Sequence, residues 1–166
     1  MLRHLNIVVF PLIISNIIHM VLVKKDVFPF LKIPVSERLF GQNKTWRGFI
    51  FLSILNGIFT PIFAYDIPVL KAVCFGMIFG LIYMIFELPN SLFKRKMGIA
   101  AGENPAENKL LFSLLDKTDS AFGVCLVYFL ISDIDVTQII QLFFISSFIH
   151  ITFSMLLVSL KIKKSF

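Results

Sequence analysis

Residues 87–119 read ELPNSLFKRKMGIAAGENPAENKLLFSLLDKTD. Lys94, Arg95 and Lys96 close one long apolar run, and Asp116, Lys117 and Asp119 stand at the start of the next. A helix that began only after these charges, at Ser120, would reach Ser132 with about 13 residues and about 20 Å of rise. The hydrocarbon core of a bilayer is about 30 Å thick, so such a helix would not span it. The helix must therefore start near Leu110 or Leu111, which draws Asp116, Lys117 and Asp119 toward membrane depth. A charge at the centre of a spanning helix costs about 2.5–3.5 kcal/mol on insertion scales. Such groups normally face a bundle interior or a watered cavity and serve a function.

The rest of the chain supports a membrane setting. It has 166 residues, 57% hydrophobic, with 20 Phe, and whole segments are nearly free of charge. Five runs have spanning length, at about Leu5–Val23, Gly48–Tyr65, Val69–Glu87, Leu110–Ser132 and Ile139–Leu160. The linkers are short and no repeat or soluble domain is visible. The expected fold is all-α, a polytopic membrane protein: one domain over 1–166, a bundle of about five transmembrane helices whose cytoplasmic loops form the site. Arg3 and His4 precede the first run in the manner of a signal peptide. No small-residue cleavage site follows, so the run is read as a first span.

All but Arg3 and Lys71 of the 16 Lys and Arg fall in the loop after the first span, the region after the third, or the C-terminal tail. With five spans these share one side. By the positive-inside rule that side is cytoplasmic, with the N-terminus outside and the C-terminus inside the cell membrane. The net charge of +6 is explained by topology and anionic lipid, and the tail lysines Lys161, Lys163 and Lys164 need no other reading. Nucleic acid is not an expected partner, because the cations sit in short juxtamembrane loops. Cys74 and Cys125 lie in apolar runs without metal-ligand spacing and read as packed free thiols.

Asp116 and Asp119, three residues apart, project from one face of a helix with Cβ atoms about 5–6 Å apart. A hard divalent cation, Mg²⁺ or Mn²⁺, would hold the two carboxylates together and keep positions for water or phosphate. Neutralisation by Lys117 and neighbouring cations is the structural alternative. Pro89 disfavours helical geometry at Leu88, so a break or kink is expected there, and Ser91–Lys96 can form a short helix with Asn90 as its cap. Such a helix start, followed by Lys94, Arg95 and Lys96, would favour a polyanion such as a triphosphate. Stop-transfer charge is the plain alternative. Gly98 to Pro105 reads as a flexible loop and is not a Walker loop.

The first cytoplasmic loop mixes Phe28, Phe30 and Ile33 with cations and two prolines, as a segment lying in the headgroup plane does. It ends in Asn43-Lys-Thr-Trp-Arg-Gly48, where Lys44 and Arg47 could meet a phosphate from one face. Trp46 suits the interface. His19 and His150 read as packing residues, and Asn16, Asn56 and Gln141 as interhelical hydrogen bonds.

NKTWRG, ELPNSLFKRKMGI with its Gly loop, and LLDKTDS together resemble the CDP-archaeol synthase group of the CTP-dependent phosphatidate cytidylyltransferases. The broader signature opens S-x-apolar-K-R, as in Ser91 to Arg95, and ends D-basic-x-D, as in Asp116 to Asp119. Its Lys-Asp and His-Gly-Gly middle is absent, and the chain is shorter than the phosphatidate enzymes, which favours the archaeol-type branch. The resemblance implies transfer of the cytidylyl group of CTP to a membrane lipid phosphate, archaeol-type or phosphatidate, giving CDP-lipid and pyrophosphate. It implies Asp116 and Asp119 as ligands of Mg²⁺, and Asn90, Lys94 and Arg95 as CTP contacts, with Lys96 a weaker one. Lys44, Thr45 and Arg47 are candidates for nucleotide or lipid phosphate. A CTP-dependent lipid kinase, and more remotely a small cation carrier or channel, are the alternatives.

Overall fold

The computed structural model describes residues 1–101, 103 and 109–160, the side chains at 109–113 and 116 excepted. Five long helices form the bundle: α1 (Leu2–Lys24), α3 (Trp46–Phe63), α4 (Val69–Lys96), α5 (Lys109–Ile131) and α6 (Val136–Ser159). A short α2 (Glu37–Phe40) sits in the first loop. No β-strand occurs among the described residues; Pro34 and Thr45 form one isolated bridge. Helix α5 starts at Lys109, as the length argument requires.

Four of these helices, α1, α3, α4 and α6, are long and apolar enough to cross a membrane by length and composition. The fifth, α5, has 23 residues, enough for a crossing, but carries Asp116, Lys117 and Asp119. The outward faces are largely apolar. Ile50, Ile54, Ile58 and Ile62 are exposed at every fourth position of α3, and Phe144 and Phe148 on α6. A water-soluble domain does not present a stripe of this kind on each of its helices, whereas lipid tails accept it. The protein is an all-α, polytopic membrane protein.

Two prolines shape the helices in different ways. Pro11 has no N–H for the Ile7 carbonyl, and just before it the backbone widens into a π turn over Leu5–Val9, Phe10 N–H reaching back to Leu5. Of the break or kink expected at Pro89, the break is corrected: α4 runs unbroken from Val69 to Lys96. The proline removes only one backbone donor, a loss tolerated inside a membrane bundle, and the helix continues. Ser91 Oγ donates to the Glu87 carbonyl at 2.9 Å just beyond the proline. No helix starts at Asn90, so the anion-binding argument from free N–H groups there does not apply.

The tightest packing joins α3 to α4. Gly76 and Gly80, a G-x-x-x-G pair, lay the α4 backbone directly on α3. A Cβ on Gly76 would stand 2.3 Å from the Asn56 carbonyl oxygen, and one on Gly80 2.5 Å from that of Leu52. Asn56 Nδ2 donates to the Gly76 carbonyl at 2.8 Å, and Ser53 Oγ to that of Met77 at 2.8 Å. Asn56 is thus the interhelical bond expected of it; Gln141 is instead exposed.

The first loop folds back on itself. Val35 N–H bonds the Lys44 carbonyl at 2.8 Å and Trp46 N–H that of Ile33 at 3.0 Å. Arg47, 3% exposed, clamps the far end: its Nη1 donates to Asp26 Oδ1 at 2.8 Å and to the Val27 carbonyl at 3.1 Å. That hydrogen bond, with the charges of Lys32 and Arg47, holds the Asp26 carboxyl below the usual carboxylate range. A depressed folded-state value means the contact contributes fully above the unfolded value, about 3.9, and is lost as pH falls through the lower folded one. Fluorescence of Trp46, the only tryptophan, is therefore expected to stay constant from neutral pH to about pH 4 and to change only below it. Asp26→Asn should change the neutral-pH emission and abolish that acid transition. An unchanged titration curve in the variant would assign the transition elsewhere.

Candidate functional site

The unbroken α4 puts Tyr83, Glu87, Asn90 and Lys94 on one stripe, at spacings of four, three and four residues. Tyr83 and Lys94 are buried, 6% and 6% exposed, and Glu87 and Asn90 half-buried, while Pro89, Phe93 and Lys96 point outward. The stripe rises through about 16 Å, from the middle of the bundle to the end that carries the basic loops.

Three sequence motifs meet along it. Lys44, at the end of the first loop, makes an ion pair with Glu87, both side chains about one-fifth exposed. This joins NKTWRG to the start of the α4 motif. Gly41, at φ +82°, brings the loop against the residues following α4: a Cβ there would stand 2.9 Å from Ala101 Cβ and 3.7 Å from Arg95 Nε. Arg95 Nη2 donates to the Ala100 carbonyl at 3.0 Å and so folds the chain back after the helix, while its buried Nε has no hydrogen-bond partner among the described residues. On the other side α5 packs on α4, with Lys117 (3% exposed) and Ser120 (0%) on its inner face and Asp119 half-buried beside them. Asp119 Oδ1 accepts the Ser120 N–H at 2.6 Å.

The predicted residues fall into groups. Asn90 and Lys94 lie on the stripe, Lys44 joins it through Glu87, Asp119 stands on the α5 face packed against α4, and Arg95 closes its end. Thr45 is half-buried at the N-cap of α3. Arg47 lies on α3 with its Nη1 held by the first loop. Lys96 is exposed and away from the stripe. The Asp116 side chain lies outside the described residues, as do Gly102, Asn104 to Asn108 of the Gly loop and the lysines of the tail.

Sequence reasoning missed Tyr83, Glu87 and His150. The 4-3-4 spacing of Tyr83, Glu87, Asn90 and Lys94 was legible but hidden by the break expected at Pro89. His150 gave no signal in one dimension. Tyr83 O–H and His150 Nε2 are 2.7 Å apart, and His150 Nδ1 is 2.7 Å from the Lys117 carbonyl oxygen. Asn16 Nδ2 donates to the Tyr83 oxygen at 3.4 Å. Asn16, Tyr83, Lys117 and His150 each lie about 14 residues, about 21 Å of rise, from the helix end opposite the basic loops. They form one polar layer.

Among the described residues no three His, Cys, Asp or Glu side chains converge as a ready metal cage. The carboxylates present, Asp119 on α5 and Glu87 on α4, are hard oxygen donors, the type that suits Mg²⁺ or Mn²⁺ when phosphate and water complete the shell. Below the polar layer an apolar cleft opens between α1, α4, α5 and α6, lined by Val8, Leu12, Ile13, Val124 and Cys125 and topped by Tyr83 and His150.

No solved structure matches this chain. A CDP-archaeol synthase of Staphylothermus marinus is 31% identical over 98 residues, which are 57% of this chain and 49% of that protein. The chain thus matches about half the length of that curated relative. The family model described as CarS-like: CDP-archaeol synthase matches residues 8–166, and the chain belongs to that family.

Proposed function

We propose that this protein is a CTP-dependent lipid-phosphate cytidylyltransferase working at the cytoplasmic leaflet of the cell membrane, with its N-terminus outside. The observation that carries the reading is the meeting of Lys44, Asn90, Lys94, Arg95 and Asp119 around one helix stripe that ends above an apolar cleft. Cations, a carboxylate and a hydrocarbon-lined slot are what a triphosphate and a lipid phosphate require together.

The acceptor is already an anion at neutral pH, so no strong base is needed. An oxygen of the lipid phosphate forms a bond to the α-phosphorus of CTP while the bond from that phosphorus to the bridging oxygen breaks and pyrophosphate leaves. The difficulty is bringing two anions together and accepting charge on the leaving group, which calls for positioning and fixed charge. Lys94 and Arg95 face the triphosphate, Asn90 orients it, and Lys96 adds a more distant positive field. Lys44 and Thr45 serve a phosphate from the opposite side, and Arg47 acts by holding their loop in place. Asp116 and Asp119 would hold Mg²⁺, or Mn²⁺, which when bound neutralises the phosphates. The cleft receives a hydrocarbon chain of the acceptor, whose phosphate lies beyond the polar layer, toward Lys44 and Lys94. An archaeol-type ether-lipid phosphate is the acceptor favoured by the family, with phosphatidate the alternative.

Purified protein with Mg²⁺ and CTP labelled at the α- or the γ-phosphate tests this. Label from the α position is expected in lipid, with pyrophosphate released, when phosphatidate and an ether-lipid phosphate are offered side by side. Label entering only from the γ position would make the protein a lipid kinase. Folded protein that transfers neither, and supports ion flux in sealed vesicles, would be a carrier.

A further inference from the structure

The polar layer holds a device that the transfer reaction does not use directly. The Lys117 carbonyl can only accept, so His150 Nδ1 carries the proton and donates to it. With Nδ1 committed to that carbonyl, Nε2 is left to face the Tyr83 hydroxyl at 2.7 Å, and the two bonds together fix the ring's orientation. Tyr83 is itself held by Asn16 from α1. The chain of bonds runs from α1 through α4 and α6 to the α5 backbone. Lys117 is the residue directly after Asp116 and two before Asp119. A mid-helix carbonyl already serves its own helix and has a second lone pair, so an outside donor at 2.7 Å fixes the rotation of that turn without breaking it. Helices α4 and α6 are not close-packed neighbours, so the Tyr83–His150 contact is a specific tie and not incidental core packing.

We propose that His150 is a positioning residue: its Nδ1–H bond to the Lys117 carbonyl sets the orientation of the α5 turn that bears Asp116 and Asp119, and Tyr83 locks the imidazole for that task. This rests on the reading of those two aspartates as the cation-holding pair. In this role the histidine acts through the Lys117 carbonyl and the Tyr83 hydroxyl, not on the reacting atoms. It acts as the outer partner of a ligand-bearing segment, a class of contact whose loss typically lowers metal affinity or activity about 10–100-fold.

Two substitutions separate the halves of the tie. His150→Asn places an amide N–H near the site of Nδ1 and keeps the bond to Lys117, while His150→Gln reaches the site of Nε2 and keeps only Tyr83. Each protein is placed in nanodiscs and titrated with Mn²⁺, read by electron paramagnetic resonance without substrate, then assayed for turnover. His150→Gln is expected to bind Mn²⁺ about tenfold more weakly and to lose about tenfold in kcat, with KM for CTP little changed. His150→Asn is expected to stay within about threefold of wild type in both, with thermal midpoints of the two variants alike. Equal behaviour of the two variants, or unchanged Mn²⁺ binding in His150→Gln, would overturn the role of His150. Wild-type protein that binds no Mn²⁺ would instead overturn the cation-holding pair, and the positioning role with it.

Discussion

Asp119→Asn is expected to lower cytidylyl transfer by about 10²–10³-fold while the protein remains folded, the effect of removing one charge-stabilising group from a reaction of this type. The substitution is nearly isosteric. The Asp119 oxygen that accepts the Ser120 N–H at 2.6 Å has a counterpart in the Asn carbonyl oxygen, so the local bond survives and only the charge is lost. Asp119 is half-buried on the α5 face that meets α4, where the field of a charge is screened less than at the surface. A carboxylate that served only to offset nearby lysines would give the opposite pattern, with stability falling and turnover of the surviving folded fraction intact. Turnover and thermal midpoint measured on the same preparation separate the two. Wild-type turnover in Asp119→Asn would remove the aspartate from the machinery.

That Asp119 lies on a helix within the bundle was legible in the sequence because geometry forced it. A helix had to begin near residue 110 to cross a bilayer, and α5 begins at Lys109. The membrane class was legible for a similar reason: long apolar runs leave few alternatives once the backbone must satisfy its own hydrogen bonds in lipid. What failed was local. Propensity at Pro89 argued for a break, and packing in the bundle overrode it, so that Asn90 and Lys94 join Tyr83 and Glu87 on a single stripe instead of opening a second helix. The Lys44–Glu87 ion pair and the Arg47 clamp on Asp26 link residues far apart in the chain, and no periodicity reports on such pairs. His150 is the clearest instance. Its partners are a hydroxyl on α4 and a backbone carbonyl on α5, and a backbone carbonyl has no residue identity to read.

Gly76→Val is expected to destabilise the bundle by more than about 3 kcal/mol, beyond the usual range for overpacking. The new Cβ would meet the Asn56 carbonyl oxygen at 2.3 Å, the Asn56 carbonyl carbon at 2.7 Å and Thr60 Oγ1 at 2.5 Å. Two of these are backbone atoms, which cannot rotate aside as a flexible side chain can. Nor can α4 retreat locally, because Asn56 Nδ2 ties α3 to the Gly76 carbonyl at 2.8 Å and Gly80 rests on Leu52 one turn further on. Opening the contact therefore forfeits the Asn56 bond as well, about 0.6 kcal/mol for an average interhelical hydrogen bond in a membrane. The consequence reaches the candidate site. Helix α3 begins with the loop that presents Lys44 and Thr45, and α4 carries Glu87, Asn90 and Lys94. Forcing the two helices apart would separate these groups with every site side chain still present. Unfolding in a detergent titration should show a lower midpoint for Gly76→Val, and activity should fall with it; Gly76→Ala, with the same Cβ and no branches, should lie between the two. A Gly76→Val protein with the wild-type midpoint would mean that α3 and α4 are not in backbone contact, and that the loop and the stripe are brought together by something else.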